Sequence, residues 1–231
     1  MLFRSFLEPG EDTPCQCSLL NAADINIESM EMNRYYNSIS IPPTLKELSI
    51  RSLEEDLVCP TTLTRLRVEV IQKKVQLTMN EGLRELYIGN CPLGIPSTVK
   101  YLYTPSLHKK IDWPLEVLEV EQLKKADWNK LPNTLTNLIV HSSPSFQLSE
   151  LTALRRLTIT VLISNSNISP DKFSFPPNIE QCILTLTGTM AIERRPAAVK
   201  QFKEALSHVK DVTITTTFGQ KIDRKLKKYL R

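Results

Sequence analysis

Along most of the chain, apolar residues fall at relative positions zero, three and five of a recurring unit. Examples are Leu45, Leu48 and Ile50; Leu63, Leu66 and Val68; Leu83, Leu86 and Ile88; Leu115, Leu118 and Val120; Leu135, Leu138 and Val140; and Leu154, Leu157 and Ile159. The same three slots can be placed from Val99, Ile179 and Val209, with Thr104 and Cys182 each standing in one apolar slot. Alternation of apolar and polar residues over the second and third slots predicts a short, half-buried strand, and β-branched residues in the last slot agree with it. Successive first slots lie 16 to 20 residues apart as far as Leu154, then 25 and 30 apart. The shorter steps leave too little chain for a helix and two turns, so their return paths are expected to be extended or 3₁₀.

Ahead of five of these strands stands the form apolar-Pro-x-(Thr/Asn)-apolar, beginning at Ile41, Cys59, Ile95, Leu131 and Phe175. Proline lacks the N–H of a ladder donor, so Pro42, Pro60, Pro96, Pro132 and Pro176 belong just before each strand, where a fixed φ sets a turn. Units of this kind cannot bury a face alone and must stack on their neighbours. The organisation that follows is one structural domain with an N-terminal cap over 1–40, a repeat solenoid over 41–216 and a basic C-terminal cap over 217–231. Ile25 and Ile27 are the expected first, atypical strand of the cap. Val199, Phe202, Leu206 and Val209 predict a helix near 197–209, and Ile222, Leu226 and Leu230 predict a capping helix at the C-terminus.

The tandem L-x-x-L-x-(I/V) pattern, complete in Leu83-x-x-Leu86-x-Ile88-x-x-Cys91, resembles the leucine-rich repeat family. The Pro-x-x-Leu lead-in is similar to the short repeats of bacterial effectors and of FNIP-type repeat proteins. The resemblance implies an α/β solenoid whose curved parallel sheet has about nine short strands and mostly non-helical returns. It also implies a protein-binding role on the concave face. The chain departs from the family at the Asn/Cys position, where Leu53, Ile71, Leu107, Leu123 and Leu162 stand, so an asparagine ladder is mostly missing.

If the slots face inward, intervening positions line one outward surface. In order it carries Glu47, Ser49 and Arg51, then Arg65, Arg67 and Glu69, Glu85 and Tyr87, Tyr101 and Tyr103, and Glu119 and Glu121. This reads as basic, then aromatic, then acidic. Arg65, Arg67, Tyr87, Tyr101, Tyr103, Glu119 and Glu121 are the candidate partner-binding residues, because tyrosine and arginine anchor interfaces more often than other exposed types. Cross-strand packing of the tyrosines on one another is the competing reading. A nucleic acid is disfavoured on this face by Glu119 and Glu121.

Composition narrows the function further. A net charge of +4 gives the whole chain no strong field for nucleic acid or anionic membrane. The tail is different: Lys221, Arg224, Lys225, Lys227, Lys228 and Arg231 face only Asp223 as an acid. Arg224, Lys225, Lys227, Lys228 and Arg231 form a candidate basic anchor, and an RNA-associated subunit using it is the alternative to a protein-binding adaptor. Five cysteines, with Cys59, Cys91 and Cys182 at small apolar positions, read as reduced thiols and favour a cytoplasmic or nuclear setting. Cys15 and Cys17 lack further ligands at zinc-like spacing, so no metal is expected. His108, His141 and His208 form no triad pattern and six glycines assemble no phosphate loop, so no catalytic residue, cofactor or small-molecule substrate is expected. Neither a signal-peptide core nor a run of about 20 apolar residues for a membrane span is seen. A ubiquitin-ligase substrate receptor is a third functional reading, set back by the lack of an F-box-like helical segment before the repeats.

Overall fold

A computed structural model of the protein describes residues 27–89, 94–107, 109–164, 173–189 and 194–218. Ten parallel strands are their main regular structure, divided equally between two compact units that meet in sequence at Pro105 and Ser106. In the first unit the order follows the chain: β1 (Ser29–Tyr35), β2 (Glu47–Leu53), β3 (Arg65–Ile71), β4 (Glu85–Ile88) and β5 (Tyr101–Thr104). The second unit repeats the plan with β6 (Val117–Gln122), β7 (Asn137–Ser143), β8 (Arg156–Ser164), β9 (Gln181–Thr189) and β10 (Asp211–Phe218).

Registers align the slots of successive repeats in straight rows. In the first unit Met30, Leu48, Leu66, Leu86 and Leu102 lie side by side, and in the second Leu118, Leu138, Leu157, Cys182 and Val212 do so. Leu45, Ile50, Leu63, Leu66, Val68, Leu83, Leu86, Val99, Leu102, Leu115, Leu118, Val120, Leu135 and Leu138 have no exposed surface at all. Thr104 and Cys182 are likewise fully buried in their slots.

The proline motif acts through its turn. The N–H of the first-slot residue donates to the proline carbonyl three residues earlier, Leu45 to Pro42 at 3.2 Å, Leu63 to Pro60 at 3.1 Å, Val99 to Pro96 at 3.1 Å and Leu135 to Pro132 at 3.2 Å. Such a turn reverses the chain into the strand without using the missing proline donor. The threonine of the motif then ties one repeat to the one before. Its hydroxyl donates to the first-slot carbonyl of the preceding unit: Thr62 to Leu45 (2.8 Å), Thr98 to Leu83 (3.0 Å) and Thr134 to Leu115 (2.9 Å). Where Asn80 stands at the proline's position, its amide donates to Leu63 O at 3.2 Å. These rungs satisfy carbonyls at the strand entrances, the kind of backbone accounting that every solenoid turn must close.

Several expectations shift in detail. The first strand is Ser29–Tyr35, with Met30 and Met32 paired to Leu48 and Ile50, so it starts later than Ile25 and Ile27 would suggest. Ile27 serves as its first slot, its carbonyl accepting from Thr44 at 3.3 Å. Among the described residues the main sheet order thus has ten strands rather than about nine. Between β7 and β8 the register shifts, Val140 pairing with Ile159 but Ser143 with Val161, so the extra residue lies in β7; alternation in β8 continues unbroken, which buries Val161 and Ile163 and leaves Leu162 half-buried instead of in the Asn/Cys position.

Return paths are extended or 3₁₀, as the short steps require. Leu57–Val58 pairs in parallel with Leu77–Thr78, Phe146–Gln147 with Phe173–Ser174, and Lys125–Lys130 is a 3₁₀ helix. One α-helix is found among the described residues, α1 (Arg195–Ala205), two residues earlier than the spacing predicts. It buries Ala198 and Phe202 while Val199 is only half-buried. The extra chain of the long steps is filled by aromatics: Phe146 packs edge-on against Phe173 (5.2 Å between centroids) and Phe175 (4.8 Å), and Phe173 against Phe202 (5.0 Å). The C-terminal cap expected from Ile222, Leu226 and Leu230 lies outside the described residues, as do Cys15, Cys17, Cys91 and His108.

Candidate protein-binding face

Strand pleating turns the positions between slots away from the core, and three neighbouring strands of the first unit carry the candidate residues. Registers set Glu47, Arg65, Glu85 and Tyr101 in one outward row and Ser49, Arg67, Tyr87 and Tyr103 in the next. Arg65, Arg67, Tyr87, Tyr101 and Tyr103 therefore share one surface, as the sequence predicts.

The arginines, however, do not make it a basic one. Arg65 grips Glu85 with two hydrogen bonds, Nε to Oε2 at 2.7 Å and Nη2 to Oε1 at 3.1 Å, and donates from Nη1 to Glu47 Oε1 at 3.0 Å. The hydrogen bond to Glu85 raises the Arg65 pKa against the opposing effect of burial, and the charges of Glu85 and Glu47 add to the rise. Arg67 Nη2 meets Glu69 Oε1 at 3.0 Å. Arg51, Arg65 and Arg67 are thus balanced by Glu47, Glu69 and Glu85 on the outward positions of β2 to β4. Exposed ion pairs of this kind add little stability individually, but a bidentate arginine held between two carboxylates is a rigid one.

The tyrosines do pack on one another across the strands. Tyr87 lies 4.9 Å from Tyr101 and 6.2 Å from Tyr103 between ring centroids, with interplanar angles of 34° and 29°. They pack on one another, a contact worth about 0.5–1.5 kcal/mol per pair beyond area. All three remain half-buried on the sheet face rather than closed over. The result is a fixed, near-parallel file of rings beside an electrically balanced ladder.

Glu119 and Glu121 belong to the second unit, on β6. There Glu119 Oε1 lies 2.8 Å from His141 Nε2 on β7. The basic anchor residues Arg224, Lys225, Lys227, Lys228 and Arg231 lie outside the described residues. A further outward array, of which only Thr158 is expected from the sequence, lies on the second unit. Thr160, Thr185 and Thr215 share a row across β8, β9 and β10, with Thr185 Oγ1 2.9 Å from Thr215 Oγ1, and Thr158, Thr187, Thr213 and Thr217 stand beside them. The signal for it was present as three T-x-T strings, Thr158-x-Thr160, Thr185-x-Thr187 and Thr213-x-Thr215.

Among the described residues no three His, Cys, Asp or Glu side chains are grouped to hold a metal ion, and no helix is long and apolar enough to cross a membrane. Cys59 and Cys182 are free, buried thiols, and burial pushes both up to about 12. Comparisons with protein-family models, with curated proteins and with solved structures return no match.

Proposed function

We propose that the chain is a non-catalytic adaptor of leucine-rich repeat type, which holds a protein partner on the outward face of β3 to β5. The observation that carries this reading is the packed file of Tyr87, Tyr101 and Tyr103, half-exposed on three rings that already brace one another. Tyrosines fixed before binding lose little rotamer freedom on contact, which is what makes them efficient anchors. The balanced charges around them favour a protein over RNA, because a phosphate backbone seeks unpaired cations and Arg65 and Arg67 already have carboxylate partners. Free thiols at Cys59 and Cys182 support a reducing setting such as the cytoplasm or nucleus.

The test is a triple replacement of Tyr87, Tyr101 and Tyr103 by Ala, with partners recovered by affinity purification and identified by mass spectrometry. Capture of the main partner should fall by at least about thirtyfold, as expected for losing a hot spot of about 2 kcal/mol or more. The variant should keep the native circular dichroism spectrum. Equal recovery of the same partners by a folded variant would place the binding surface elsewhere.

A further inference from the structure

We infer that the β10 edge is a self-association site, at which a second copy of this chain adds its own β10 in antiparallel pairing about a two-fold axis. The backbone phase identifies the open groups. The Asp211 N–H donates to Glu180 O, so in the alternating ladder of parallel strands Asp211, Thr213, Thr215 and Thr217 turn their amides and carbonyls to β9. Those of Val212, Ile214 and Thr216 point the other way, and β10 is the last strand in the sheet order, so they meet no partner strand among the described residues.

Edges left in this state are normally guarded by charges, proline, a bulge or short length. From Val212 to Phe218 the sequence is VTITTTF, with no charge and no proline, and its pairing with β9 runs without a register shift over all eight residues. β1, the end strand of the first unit, contrasts with it: Glu31 and Arg34 lie within that strand. Burial points the same way. Val212 and Ile214 occupy the second and third slots of the last repeat, where Leu138 and Val140 are buried to 0% and 1% exposure, yet both are only half-buried.

A second β10 fits this edge on both faces. In the two-fold register centred on Ile214, Val212 of one copy faces Thr216 of the other and Ile214 faces Ile214, so open-edge residues meet the same set. The outward threonines then meet outward threonines. Apolar slots continue on the core side, the uncharged threonine rows continue on the outer side, and no like charges face each other between Val212 and Thr217. Pairing onto β1 of another copy would instead join unlike edges head to tail. Glu31 and Arg34 weigh against that.

The experiment is sedimentation of the full chain from low micromolar to several hundred micromolar concentration, with hydrogen exchange at matched concentrations. A reversible monomer–dimer equilibrium is expected, with the amides of Val212, Ile214 and Thr216 gaining protection as the dimer fills. Thr216→Pro removes a donor that no bond among the described residues uses, once in each copy, and should weaken association by about a hundredfold or more. Thr213→Lys, on an exposed outward position, should weaken it independently while leaving the fold intact by circular dichroism. A chain that stays monomeric throughout overturns the inference, and protection of these amides in that monomer would assign the edge to the C-terminal cap that Ile222, Leu226 and Leu230 predict; growth beyond a dimer overturns it too. So does a dimer that both folded variants form as strongly as the original, or one that leaves these three amides unprotected.

Discussion

At the scale of residues, the slots were readable because leucine, isoleucine and valine occupy them with so few substitutions. They failed to show where the side chain was atypical: Ile27, Met30 and Met32 fill a full set of slots, but without a proline lead-in and with methionine in place of leucine. Charge pairing was also hidden, since Arg65 meets Glu47 and Glu85 from 18 and 20 residues away and only the register brings them together. Cys59 and Cys182 show how a slot controls chemistry. Their burial raises both thiols to about 12. In the unfolded chain a thiol ionises near pH 8.5 to 9, so each native thiol holds its proton where the unfolded one loses it. The sign follows from linkage: stability is fully present below the unfolded value and falls as pH rises from about 9 towards 12, by about 1.4 kcal/mol per pH unit for each thiol in that window. Denaturant titrations at pH 8 and pH 10.5 should show this loss, and Cys59→Ala with Cys182→Ala should flatten it. At pH 8 the folded protein should leave both thiols unreacted with iodoacetamide over a period that labels them completely in urea.

Elements were legible as far as their boundaries depend on local chemistry. The proline turns, the strand starts and the absence of α-helix from the described residues of the short returns all follow from local spacing. β8 and β9 run to nine residues each because alternation persists through Val161 and Ile163 and through Leu186, a continuation the fixed slot scheme did not allow. The 3₁₀ helix Lys125–Lys130 depends on contacts of mixed range. Asp127 accepts from the Lys124 amide at 3.0 Å and from Lys130 Nζ at 2.7 Å, and Lys130 also reaches Leu107 O at 3.2 Å. Burial opposes the Asp127 charge, but these hydrogen bonds and the two lysine charges outweigh it and hold its pKa below the ordinary carboxylate value. The threonine rungs are the clearest link between motif and element. The sequence displayed Thr62, Thr98 and Thr134 at one position of the repeat, yet their acceptors, Leu45, Leu83 and Leu115, lie a whole repeat earlier. Thr134→Val keeps the shape and removes the donor, so it should lower unfolding free energy by about 0.5–1.5 kcal/mol. Thr152→Val, on an exposed turn position, should change stability by less than about 0.5 kcal/mol. Equal effects at the two sites in chemical denaturation would show that the rung carries no weight.

For the whole molecule, the parallel repeat plan was legible because a period of 16 to 20 residues with alternating slots permits few other arrangements, whereas the partition into a unit up to Pro105 and one from Ser106 has no marker in the motif. Within each unit every repeat leans on its immediate neighbours, so a lesion in one row should propagate along that row before it does anything else. Leu138 is the sharpest place to test this. It has no exposed surface and stands in register between Leu118 of β6 and Leu157 of β8, so a carboxylate there would face apolar side chains from both neighbours. A buried, unpaired charge costs several kcal/mol against a total stability of about 5–15 kcal/mol. Leu138→Asp should therefore abolish cooperative folding of the second unit, seen as lost amide protection across β6 to β9, while Leu138→Met should cost less than about 1.5 kcal/mol because volume and polarity are kept. The two substitutions separate a failure of packing from a failure of register. A soluble Leu138→Asp chain with a sharp melting transition and protected amides at Leu118 and Leu157 would mean that this position faces water, and the row of slots running from Leu118 to Val212 would have to be redrawn.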